Sequence, residues 1–140
     1  MSPSNPSQGQ LRLFYAQTKT IAVVGASGDD KKAGSRIPKY LQGQGYRILP
    51  VNPKGGELFG ERVHKSLSEI EEPIDVVDVF RPAEEAPAIA REAVKIGANI
   101  LWLQEGIVSE EAAEIAREGG MQVVMGICMG ATHQMLGLTR

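Results

Sequence analysis

Cysteine, histidine and aromatic rings are scarce in this chain. Among 140 residues there is one cysteine, Cys128, and two histidines, His64 and His133. A single cysteine excludes an internal disulfide framework and suits a reducing compartment. Cys and His never cluster at ligand spacing, so no metal site is indicated. No apolar run approaches the ~20 residues that span a bilayer. The opening MSPSNPSQGQ lacks the basic start and apolar stretch of a secretory signal and reads as a flexible arm over residues 1–10. A cytoplasmic location follows as the default. Charge of one sign is also missing. The formal net charge of −2 argues against general nucleic-acid or membrane-surface partners.

Apolar residues still make up 42 % of the chain, enough for one packed domain over residues 11–140. They fall in short blocks that alternate with helix-period blocks. Leu11 to Thr18 suits a short leading helix. TIAVVG, Thr20 to Gly25, is a β-branched run stopped by glycine, as a buried strand is. Ser35 is placed to cap a helix through RIPKYLQGQG, with Pro38 in the first turn and Gly43 and Gly45 ending it. Tyr46 to Val51 is a second strand and Asn52 to Gly56 a turn. Ser66 opens a short helix, and Ile74 to Phe80 is a third strand. Pro82 opens the clearest helix and Gly97 closes it. Then come the strand Asn99 to Gln104, a helix capped by Ser109, the strand Gln122 to Gly126 and a short last helix. Five strands this apolar on both faces belong in a parallel sheet covered on both sides. Right-handed crossovers make it a doubly wound α/β sheet with helices on both faces. Ligands of such sheets lie beyond the carboxyl ends of the strands, so the residues after each strand matter most.

After the first strand, Gly25, Ala26, Ser27 and Gly28 form a small loop whose N–H groups can approach an anion. The following helix adds the positive end of its dipole. Lys31, Lys32 and Arg36 add charge. Asp29 and Asp30 would repel a phosphate and must face solvent if the loop binds one. The same glycines are also ordinary turn chemistry. The second strand end decides which nucleotide is favoured. An NAD-type site wants an acid there for the ribose diol; this chain has Asn52, Pro53 and Lys54. A missing acid and an added cation suit a phosphorylated ribose, which fits both NADP and coenzyme A. At the third end Phe80 could flank an adenine and Arg81 pair with a phosphate; a core Phe80 and a solvated Arg81 would equally serve the fold. At the fourth, Gln104, Glu105 and Gly106 follow a strongly apolar strand, where polar groups are costly unless they serve something.

No catalytic residue is indicated. His64 falls in the segment after the second strand, away from the strand ends. Cys128 and His133 could form a nucleophile–base pair if the tail folds back. As a buried small apolar residue and a structural hydrogen-bonder they need no such role.

Several segments carry a resemblance: IAVVGAS, KYLQGQGYRILPVNPK, SLSEIEEPIDVVDVFR, AREAVKIGA, LWLQEGIVSEEAAEIAREGGMQVVMGICM and THQML. They resemble the small single-domain CoA-binding proteins of bacteria across residues 14–136. They are also similar to the CoA-binding domain of the succinyl-CoA synthetase alpha subunit. GYRILPVNP and DVVDVFR are the most distinctive. The resemblance implies one Rossmann-like domain with a five-stranded parallel sheet and coenzyme A as ligand. It implies that Gly25, Ala26, Ser27 and Gly28 cradle phosphate, with Arg36 as a basic contact. Asn52, Pro53 and Lys54 match the turn that helps bind CoA, and Phe80 and Arg81 the third strand end. Gln104, Glu105, Gly106 and Ile107 match the synthetase's T-E-G-I turn. The single-domain group reads D-R-C and then K-x-E-H near the C-terminus; this chain has Gly126-Ile127-Cys128 and Thr132-His133, without those acids and that base. The synthetase's phosphorylated histidine belongs to a second domain that these residues do not include, so ligase activity is not implied.

The leading expectation is a cytoplasmic CoA or acyl-CoA binding protein without chemistry of its own, with Lys54, Arg36 and Arg81 as cationic contacts. The alternative is an enzyme: an NADP-dependent oxidoreductase, or an acyl-CoA-handling enzyme using Cys128 and His133. A third reading is a regulatory subunit that meets a protein partner through Leu58-Phe59 or the C-terminal MLGL.

Overall fold

The computed structural model describes residues 5–140. The chain opens with α1 (Gln8–Gln17), β1 (Thr20–Val24), α2 (Ala33–Gly43) and β2 (Arg47–Val51). A small hairpin of β3 (Glu57–Leu58) and β4 (Glu61–Arg62) follows, then a 3-10 turn at Leu67–Glu69 and β5 (Val76–Val79). A second 3-10 turn leads into α3 (Ala86–Lys95), and the chain ends with β6 (Ile100–Leu103), α4 (Glu110–Glu118), β7 (Gln122–Met125) and α5 (Met129–Met135). Five strands form one parallel sheet in the order β2-β1-β5-β6-β7. This is the doubly wound, Rossmann-like sheet that the sequence implies. The chain moves outward from β1 to β2 and then returns to add β5 on the other side, so the switch in strand order lies between β1 and β5.

Alternation along each strand sorts the core into two layers. Ile21, Val23, Ile48, Val76, Ile100, Trp102 and Val124 pack with Leu11, Tyr15, Leu41 and Met129 from α1, α2 and α5. Ala22, Leu49, Val77, Val79, Leu101, Leu103 and Val123 face α3 and α4, whose Ala90, Ala93, Ala112, Ala113 and Ala116 let the helices lie close to the sheet.

The structure departs from the sequence reading in four places. First, α1 begins at Gln8, because Ser7 and Gln10 form a reciprocal capping box. Just before it, Asn5 Nδ2 donates to Met125 O and Asn5 Oδ1 accepts from Met125 N, both at 2.9 Å. The arm read over residues 1–10 is thus built into the fold from Asn5 onward; residues 1–4 lie outside the described part. Second, α2 starts at Ala33, and Ser35 does not cap it. The Ser35 hydroxyl donates to Asp30 Oδ1 at 2.7 Å, and Pro38 sits inside the helix rather than in its first turn. Third, the hairpin was not foreseen; its turn residues Phe59 and Gly60 have φ of 59° and 77°, the pairing that a two-residue type I′ turn needs.

The fourth departure is Asp78, in a strand read as plain apolar. It is 0 % exposed, and neither carboxylate oxygen has a partner. It lies level with Val23 and Trp102, which places it on the α1 side of the sheet. Burial pushes its pKa well above the ordinary carboxylate value. Among the described residues no helix is long and apolar enough to cross a membrane.

Candidate functional site

The carboxyl ends of the strands open on a cleft of about 1160 Å³, somewhat above the roughly 300–1,000 Å³ usual for small-ligand sites. Its walls include the loop after β1, the head of α2, the turn from Asn52 to Leu58, Phe80 and Arg81, and Gln104, Glu105, Ile107 and Cys128. Most residues singled out in the sequence therefore do meet in one place.

Of the loop's main-chain donors, only Gly28 is free as the sequence expects. Gly25 and Ala26 N–H both donate to Val51 O, at 3.0 and 3.4 Å, and Ser27 N–H donates to Gly34 O at 3.1 Å. These three are spent on holding the loop. The N–H groups of Gly28, Ala33 and Gly34 have no partner among the described residues, and all three residues line the cleft. The first N–H groups of a helix have no intrahelical acceptor, so the anion cradle is Gly28 plus the first turn of α2. Close approach makes this possible: a Cβ on Gly34 would stand 2.7 Å from Gly25 O. Gly25 itself has φ of 91°, a region that side chains disfavour.

Arg36 lines the cleft and steadies the loop through Nη1 to Asp30 O at 3.2 Å. Neither Asp29 nor Asp30 lines it. Asp30 instead accepts from Lys39 Nζ and Ser35 Oγ, and the Lys39 bond first of all holds its carboxyl below the usual range.

Asn52 shapes the second strand end. Its Nδ2 donates to Ala26 O at 3.1 Å, and its Oδ1 accepts from Lys54 N and Gly55 N at 2.8 and 3.2 Å. Pro53 and Lys54 then form cleft wall, and Lys54 Nζ has no partner among the described residues. His64 is not remote from the strand ends as expected. Its N–H donates to Pro50 O and its carbonyl accepts from Asn52 N, both at 3.0 Å, as a bridge to Val51. That bridge brings in Lys65, a wall residue the sequence reading missed. Sequence distance hid it.

Phe80 is half-buried in the wall. Arg81 forks onto Glu85, Nε to Oε1 at 3.0 Å and Nη2 to Oε2 at 2.7 Å, so its charge is already matched within the protein. Gln104 is 4 % exposed; its Oε1 accepts from Met129 N at 3.0 Å. Glu105 lines the cleft, whereas Gly106, with φ of 81°, turns the chain without forming wall.

The profile of the family described as "CoA binding domain" matches residues 19–134. The chain belongs to the CoA-binding domain family. It is 39 % identical over 129 residues to the uncharacterized protein YneT of Bacillus subtilis (strain 168), covering 92 % of this chain and 96 % of that one. A solved structure from Thermus thermophilus, cell-free ID.343, superposes with a TM-score of 0.90 at 40 % identity, covering 94 % and 99 % of the two chains. An ADP-forming acetate–CoA ligase of Methanocaldococcus jannaschii is 27 % identical over 133 residues, which span 89 % of this chain and only 19 % of the ligase.

In this CoA-binding domain the Cys128–His133 pair of the enzyme reading does not form. His133 is 3 % exposed, and its Nδ1 lies 2.8 Å from the Tyr40 hydroxyl. Tyr15, Tyr40 and Tyr46 pack edge-on against its ring. Burial, helped by Arg140, lowers its pKa and keeps it neutral. Cys128 is half-buried rather than core, lines the cleft, and its Sγ accepts from Ala131 N–H at 3.4 Å. Leu58 and Phe59 pack on the α1–α2–α5 layer, while Met135 of the C-terminal MLGL is 62 % exposed. Among the described residues no group of His, Cys, Asp and Glu could hold a metal ion.

Proposed function

We propose that this domain binds coenzyme A or an acyl-CoA in the cleft, with the nucleotide at the β1–β2–β5 end. The observation that carries this is the cradle of unpartnered N–H groups on Gly28, Ala33 and Gly34, beside Arg36 and the unpaired Lys54. Such a cradle suits the pyrophosphate. Lys54 suits the 3′-phosphate of the ribose, and Asn52, busy with the loop, stands where an NAD-type site carries its acid. Phe80 offers a face to the adenine. The residues present thus fit the ligand that the family name describes. On this reading the domain is first of all a binding module.

NADP carries its extra phosphate on the 2′ oxygen and is the competing ligand. Calorimetric titration with CoA, acetyl-CoA, NAD and NADP separates them: binding of CoA and not of NADP is expected. Lys54→Ala is expected to weaken CoA by about 10-fold or more, the value of a hydrogen bond to a charged group at about 1.5–3 kcal/mol. The loss should shrink at high salt. Dephospho-CoA, which lacks the 3′-phosphate, should not distinguish the variant from the wild type. Strong NADP binding beside no CoA binding overturns the reading.

A further inference from the structure

We propose that the β6–β7 end of the cleft holds the thiol end of the ligand, and that Cys128 exchanges disulfides with it. This rests on the CoA reading above. The strand order sets the direction. Neighbouring strands lie about 4.8 Å apart, so four steps from β2 to β7 make a rim about 19 Å long. The unpartnered N–H groups, Arg36, Lys54 and Lys65 all belong to the β1–β2 end. At the other end the wall includes Ile37, Ile107, Gln104, Cys128 and the carboxylate of Glu105, which disfavours an anion there. A ligand with anions at one end and amides, methylenes and sulfur at the other fits in one direction only.

Gln104 points to that ligand independently of the cysteine. It is 4 % exposed, and its Nε2 has no partner among the described residues. That nitrogen is not fully enclosed, and its residue lines the cleft. An amide donor held by a residue this buried, yet open to the cleft, is free to meet an acceptor there. An amide or thioester carbonyl from the ligand's arm would supply one.

The backbone around Cys128 is pinned on both sides. Trp102 Nε1 donates to Ile127 O at 2.9 Å, and the Tyr15 hydroxyl donates to Met129 O at 2.6 Å. Met129 N–H donates to Gln104 Oε1. The sulfur is therefore presented from a fixed loop next to the Gln104 amide. In the exchange, the Cys128 thiolate attacks one sulfur of the ligand's symmetrical disulfide. A Cys128–ligand S–S bond forms, the original S–S bond breaks, and the other half leaves as a thiolate that takes a proton from water. No oxidant beyond the disulfide is needed. Cys128 is the chain's one cysteine, so nothing within the protein resolves the mixed disulfide, and an external thiol must release it.

The test uses the full, reduced protein and CoA disulfide, followed by intact-mass spectrometry. One CoA less two hydrogens should add per chain, map to Cys128 and come off with dithiothreitol. Pantethine is the same disulfide without nucleotides. CoA disulfide should react at least about 10-fold faster than pantethine, because anchoring the nucleotide raises the effective concentration of the sulfur. Adenosine 3′,5′-bisphosphate should slow the CoA reaction and leave the pantethine reaction alone. Equal rates and no slowing mean a merely accessible thiol and overturn the inference. Gln104→Glu keeps the acceptor for Met129 N–H and removes the donor. It should weaken CoA by about 5-fold, one hydrogen bond's worth, and adenosine 3′,5′-bisphosphate by much less. Equal losses for both would make Gln104 a structural residue and remove its part. Titration of CoA with dithiothreitol present reports on the parent reading separately. Binding there without preferential adduct sinks this inference alone; no binding sinks the parent reading.

Discussion

Gly34→Ala is expected to cost the protein both its ligand and part of its stability. The new Cβ would stand 2.7 Å from Gly25 O and 3.8 Å from Phe80 Cβ. Its nearest neighbour is backbone, so no side-chain rotation relieves the contact. Either α2 lifts from the sheet or the loop after β1 moves. Overpacking of this kind costs about 1–3 kcal/mol in stability. It also separates Gly28 N–H from the N–H groups of Ala33 and Gly34. Losing one or two charge-assisted bonds to phosphate corresponds to a loss of affinity for CoA of about 100-fold. Gly43→Ala is the matched control. Nothing lies within 4 Å of its Cβ, and it sits in the last turn of the same helix. It should raise stability by about 0.5–1 kcal/mol, the helix preference of alanine over glycine, and leave CoA binding alone. Urea unfolding and calorimetry read both. Normal binding by Gly34→Ala would show that the cradle lies elsewhere.

The second large effect is on pH dependence. In the unfolded chain Asp78 releases its proton near the ordinary value of 3.8. In the fold, burial retains the proton to well above that. Between these points the unfolded state binds fewer protons, so stability is full below about pH 4 and falls as pH rises. The slope is up to about 1.4 kcal/mol per pH unit, ending where the folded carboxyl ionises. Asp78→Asn removes the titration, so its stability relative to the wild type should climb steadily with pH. The exposed pairs Arg47–Glu72 and Arg81–Glu85 hold their carboxyls low and act in the opposite sense on the acid side. Both proteins share them, so they cancel in the difference. The Tyr15 hydroxyl lies on the same side, its pKa raised first by burial and then by the Asp78 charge. Urea unfolding of both proteins at pH 5, 6 and 7 decides the matter; parallel curves would mean that the carboxyl is not buried alone.

The strands were legible because each is a short apolar run, closed by glycine after β1 and β7, by an asparagine turn after β2, and by the polar Arg81 and Gln104 at the ends of the β5 and β6 runs. Ser109 and Gly97 also announced their helix ends correctly, since a cap is a local device: Ser109 Oγ accepts from Ala112 N at 3.1 Å. What could not be read is what depends on partners distant in sequence. Ser35 had the chemistry of a cap, but Asp30 takes its hydroxyl. Gly25, Ala26 and Ser27 looked like anion donors, yet Val51 O and Gly34 O already hold their N–H groups. Strands of two residues, as in β3 and β4, carry no period to detect. Phe59 in a positive-φ turn position gives no warning. Arg81 is matched by Glu85, four residues on, a helix-spaced pairing visible in the sequence but overlooked in favour of a phosphate.

Pro38 has a meaning that its position in α2 alone does not suggest. A helix normally returns each carbonyl to the N–H four residues later. Proline has none to offer, so the Gly34 carbonyl is left over, and Ser27 N–H takes it. The helix thereby lends an acceptor to its neighbour, and the loss of one internal bond is offset by fastening the loop that precedes it. Alanine at this position would favour the helix by propensity and bring an N–H that competes with Ser27 for the Gly34 carbonyl.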